Sequence, residues 1–65
     1  MKAYTTRDKA KQAARKRSLF ASLNGKFSQF DVIAIDGQFY VVESGKYPKH
    51  TFWTIIQQYC GGYSI

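Results

Sequence analysis

The chain has 65 residues, a formal net charge of +6, 45% hydrophobic and 17% aromatic residues, one cysteine and one histidine. At this length one domain, 1–65, is expected, burying only roughly 60% of the surface that its unfolded form exposes. Cys60 alone cannot form an intrachain disulfide, and Cys60 with His50 cannot complete a four-ligand zinc site, so neither staple nor metal is expected to supplement the core.

The first predicted element is a helix from about Thr6 to Leu23. Thr5 or Thr6 serves as N-cap, and Asp8 lies in the first turn, where the helix dipole favours negative charge. Ala10, Ala13, Ala14, Phe20 and Ala21 share one face, a narrow stripe made mostly of methyl groups, with Arg17 inside it. Asn24-Gly25 supplies the left-handed stop. This segment also holds the charge. Residues 1–17 contain seven of the ten cations against Asp8 alone, whereas 18–65 are neutral. The reading is a basic arm, 1–17, that stays partly flexible until a partner neutralises it, joined to an aromatic-rich body, 18–65.

Next, Phe30–Ile35 and Gln38–Glu43 flank Asp36-Gly37. Two β-rich runs separated by Asp-Gly predict an antiparallel hairpin with a type I′ turn. That register sets Val32 against Val41, Ile33 against Tyr40 and Ala34 against Phe39. Phe30, Val32, Ala34, Phe39, Val41 and Glu43 then share one face, and Asp31, Ile33, Ile35, Gln38, Tyr40 and Val42 the other. Neither face is polar, so part of each is expected to be covered, and a lone two-stranded ribbon would not be stable.

The last element reads as a C-terminal amphipathic helix from about 48 to 60. Phe52, Ile55, Ile56 and Tyr59 recur at i, i+3, i+4 and i+7, Pro48 suits a first turn, and Gly61-Gly62 suits an end. A third β-strand over Thr51–Tyr59 is the alternative, on the composition Thr-Phe-Trp-Thr-Ile-Ile. The expected class is therefore α+β, in the order α-β-β-α. The tail from Gly61 to Ile65 reads as a loose end or a final packed strand.

No catalytic constellation emerges. On the helical reading, His50 and Cys60 are about 15 Å apart along the axis and face different ways. Asp36 is explained by its turn, no glycine-rich phosphate loop is present, and no cofactor or metal is expected. No apolar segment follows the N-terminal Met1-Lys2-Ala3-Tyr4, and no run approaches the about 20 apolar residues of a membrane helix. A cytoplasmic, non-enzymatic binding protein without membrane contact is the expectation. A basic segment of this kind suits DNA or RNA, with Arg7, Lys11 and Arg15 forming one ridge at i, i+4 and i+8, and Lys9, Lys16 and Arg17 on other sides. Phe39, Tyr40, Tyr47 and Trp53 are the candidates for base stacking or for an interface. The alternative is a small inhibitor or adaptor, of the phage or plasmid type, that docks on an acidic protein surface. A homodimer that pairs two hairpins into a four-stranded sheet fits the same composition.

Overall fold

The computed structural model describes residues 2–49 and 52–65. The chain runs β1 (Ala3–Tyr4), α1 (Arg7–Leu23), β2 (Gln29–Ile35), β3 (Gln38–Glu43), β4 (Thr54–Cys60) and β5 (Tyr63–Ser64). Among the described residues these strands form one antiparallel sheet in the order β1-β3-β2-β4-β5, with α1 packed on it.

Local chemistry sets both ends of α1. The Thr6 hydroxyl accepts the Lys9 backbone N–H at 3.3 Å, and Asp8 occupies the first turn. At the other end Gly25 adopts φ +78°. The Lys26 N–H then reaches the Ala21 carbonyl at 2.8 Å, and the Gly25 N–H reaches that of Ser22 at 3.0 Å. These two bonds make a Schellman stop.

The hairpin has the expected register, including Val32 against Val41 and Ile33 against Tyr40. Asp36 at φ +48° and Gly37 at φ +79° give the two left-handed residues that a type I′ turn requires. One face of the sheet meets α1. Phe30, Val32, Val41 and Tyr59 close on Ala10 and Ala14, which are fully buried, with Tyr4, Ala13, Phe39 and Ile56 around them. The small side chains of α1 let the helix lie close to the strands, so a stripe of methyl groups is enough to dock it.

The opposite face is covered by the connection between β3 and β4. Tyr47 donates its hydroxyl hydrogen bond to Asp31, and its ring stacks on Trp53 with centroids 4.4 Å apart. Gln29 donates a second bond to the Asp31 carboxyl at 3.2 Å, and the Trp53 indole N–H reaches the Pro48 carbonyl at 3.1 Å. Asp31 and Ile33 are fully buried there.

The expected C-terminal helix is absent: Thr54–Cys60 is a strand, in agreement with the stated alternative. (His50 and Thr51 of the helical reading, and Thr51 of the alternative, lie outside the described residues.) The helical spacing has a physical origin in a β-bulge. β4 pairs with β2 as Tyr59 to Phe30 and Gln57 to Val32, and then as Ile55 to Ile33, so that Ile56 is one residue in excess. The extra residue reverses the alternation of faces in mid-strand. Ile56 and Tyr59, three apart, therefore both face the core, as they would on a helix. The tertiary requirement decides the outcome, because β2 needs a partner for the backbone groups on its second edge.

Candidate nucleic-acid interface

Because Ala10, Ala14 and Ser18 face the sheet, the helical repeat places Lys9, Gln12 and Lys16 along the opposite crest of α1, at i, i+3 and i+7. Leu19 and Leu23 continue the same line towards the C-terminus. Gln12 and Lys16 line hollows on both sides of this crest. The hollow on the β1 side, about 420 Å³, adds Lys2, Tyr4 and Lys9. The other, about 360 Å³, adds Arg15 and Leu19. A further cleft of about 350 Å³ shares Lys2 and Tyr4 with the first, and reaches Arg17, Glu43 and Lys46 beyond the end of β1. The outcome is a cationic crest flanked by cationic grooves. Among the described residues Lys46 alone is paired with a carboxylate, that of Glu43 at 3.0 Å. Hydrogen bonds from Lys46 and then Ser28 hold the Glu43 carboxyl below its ordinary pKa.

The six cations singled out by sequence do not form one surface. Arg7 lies at the first turn with its guanidinium 5.9 Å from the centre of the Phe39 ring. Arg17 runs along the sheet, 4.9 Å from the centre of the Phe30 ring, and reaches the Val41 carbonyl at 3.4 Å. Both cations rest on aromatic faces of the fold. Lys9, Arg15 and Lys16 stand exposed, and Lys11 is half-buried at the flank. Lys2 lines the hollow beside Lys9 and Lys16 and was missed in the sequence. β1 pairs Ala3 with Tyr40 and Tyr4 with Phe39, and this pairing delivers Lys2 to the side of α1. A two-residue strand has no periodicity by which to find it.

The aromatic candidates take other places. Phe39 is half-buried against the core, beneath Arg7. Tyr40 sits on the far face of the sheet, opposite Ile33, and donates to the Gln38 side chain at 3.1 Å. Tyr47 and Trp53 are stacked on each other on that face. The sheet thus separates Tyr40, Tyr47 and Trp53 from the cationic crest. The aromatic ring in the groove is Tyr4, with the Lys2 ammonium 5.4 Å from its centre.

The far end of α1 has a different character. Phe20, Leu23 and Phe27 are each more than half exposed. Cys60 is half-buried as a free thiol near the Phe27 carbonyl. Among the described residues no group of acidic, histidine or cysteine side chains converges as metal ligands, and no helix is long and apolar enough to cross a membrane. Comparison of the chain with models of protein families, with curated proteins and with solved structures gave no match.

Proposed function

We propose that this chain is a non-catalytic nucleic-acid-binding module that holds phosphates on the exposed crest and flanks of α1. The observation that carries this reading is the gathering of Lys2, Lys9, Arg15 and Lys16 around the crest, with Lys11 half-buried on its flank and Asp8 as the acidic residue of the same helix. Unpaired cations about one helical turn apart match a polyanion whose charges repeat along its length. If those five cations each neutralise a phosphate of duplex DNA, log K falls against log salt with a slope near −4.5. Replacing Lys9 and Lys16 by alanine removes two of the five and brings the slope to about −2.7. Both side chains are exposed, so circular dichroism of the variant stays that of the parent. Fluorescence anisotropy across a salt series measures the slope. Binding that ignores salt, or an unchanged slope in the variant, overturns the proposal.

The apolar end of α1 supports a second reading. Leu23 and Phe27, at 72% and 76% exposure, have no role in holding phosphates. Beside a basic crest they suit an acidic protein surface with an apolar hollow, as an inhibitor or adaptor would require. On this reading Leu23→Ser with Phe27→Ser abolishes the complex, whereas the lysine variant weakens it only moderately.

A further inference from the structure

Resting on the nucleic-acid reading, we propose that the polymer is B-form duplex DNA and that the first three turns of α1 enter its major groove. A single-stranded ligand is ordinarily held by a cationic track alongside exposed aromatic faces. Here Tyr40, Tyr47 and Trp53 lie across the sheet from the crest, Tyr47 and Trp53 stack on each other, and Phe39 lies beneath Arg7. On the crest side Tyr4 is half-buried with the Lys2 ammonium 5.4 Å from its ring, and Phe20 stands beyond the third turn of α1, so among the described residues no row of stacking faces runs between Lys9 and Lys16.

The placement of the cations narrows the shape of the ligand. They do not follow one side of α1, as a single strand would require. Lys2 and Lys9 line the hollow on the β1 side, Arg15 lines the hollow on the other, and Gln12 and Lys16 stand between. Charges on both flanks of a helix match two phosphate rails with the helix between them. A helix with its side chains is about 10–12 Å across, and the major groove of B-form DNA is about 12 Å wide, whereas the minor groove is about 6 Å. The major groove of A-form RNA is deep and narrow and does not admit a helix. The sheet covers one side of α1 and leaves the crest clear. Gln12, the uncharged polar residue at its centre, carries the donor and acceptor that pair with the edge of adenine in the major groove.

The test compares binding of the full chain to one 20-base-pair sequence as duplex DNA, as duplex RNA and as its separate DNA strands, at a fixed salt concentration. Tighter binding to duplex DNA by about tenfold or more is expected, with displacement by methyl green, which occupies the major groove, and not by netropsin, which occupies the minor groove. Gln12→Ala changes no charge and removes only an exposed side chain, so it folds. It is expected to lower affinity for duplex DNA about 3–10-fold, the loss of one or two hydrogen bonds. Equal binding to all three polymers, displacement by netropsin, or an unaffected Gln12→Ala variant overturns the groove placement and leaves the nucleic-acid reading standing. Failure to bind any of the three overturns both.

Discussion

Asp31 is the buried carboxyl of the fold, fully shielded from solvent on the face away from α1. Its two oxygens are matched by two donors, the Gln29 amide and the Tyr47 hydroxyl. A buried polar atom deprived of its partner costs far more than a formed hydrogen bond contributes, because water cannot replace the lost donor. Tyr47→Phe retains the ring that stacks on Trp53 and removes only the hydroxyl. It is expected to lower stability by about 1–3 kcal/mol in urea denaturation. Tyr40→Phe is the matched control, since its hydroxyl bonds the exposed Gln38 side chain, and is expected to change stability by no more than about 0.5 kcal/mol. Equal effects from the two would show that Asp31 does not depend on Tyr47. Arg17 is the charged residue within the apolar stripe of α1. It lies along the sheet over Phe30, and its guanidinium reaches the Val41 carbonyl on the edge of β3 beyond the end of β1. A cation there both bonds an otherwise open strand edge and discourages pairing with another chain.

Between elements, the turn joining β4 to β5 is the point where α1 meets the end of the sheet. The Gly62 N–H donates to the buried Ser18 hydroxyl at 2.9 Å, and Gly62 itself has φ +87°. A Cβ at Gly62 would lie 3.2 Å from Leu19 side-chain atoms, so alanine meets both a left-handed backbone and a crowded neighbour. Gly62→Ala is expected to cost about 1–3 kcal/mol in thermal or urea denaturation. Gly61, at φ +63° with open space around it, accepts Gly61→Asn at a cost of about 0.5 kcal/mol or less, because asparagine tolerates this backbone region. If both substitutions are silent, the turn does not dock on α1. Signals of this local kind made the other elements legible from sequence. Asp36-Gly37 fixes the hairpin register within two residues, and Thr6 and Asn24-Gly25 bracket α1. β4 was not legible because its information is tertiary. The excess residue at Ile56 gives a strand a helical spacing, and only the unpaired edge of β2 decides between the two. The site divides in the same way. The cations are read directly from the sequence, but the sheet position of Lys2 and the distance of Tyr47 and Trp53 from the crest depend on pairings and on a connection without local periodicity.

The basic segment is part of the core that supports it. The charge asymmetry invites division into an arm of residues 1–17 and a body of 18–65, yet the packing crosses that line. Ala10 and Ala14 are fully buried against Phe30, Val32, Val41 and Tyr59, and β1 closes part of the β3 edge. Removing residues 1–17 therefore uncovers most of one apolar face of the sheet and reopens a strand edge. A chain of 65 residues has little stability to lose, since its margin is a small difference between large opposing contributions. A chain beginning at Ser18 is expected to lose its cooperative thermal transition and the dispersed amide spectrum of a packed sheet, and to aggregate through the exposed face. Loss of binding on that deletion would then report unfolding rather than contact with a ligand, and for this reason the proposed binding surface is probed with exposed side chains such as Lys9, Gln12 and Lys16. The deletion still decides a structural question. A truncated chain that melts cooperatively would show that the Tyr47–Trp53 side alone sustains the sheet and that α1 is an appended arm. A chain that unfolds shows that the methyl groups on one side of α1 complete the core, while its other side leaves Lys9, Gln12 and Lys16 exposed.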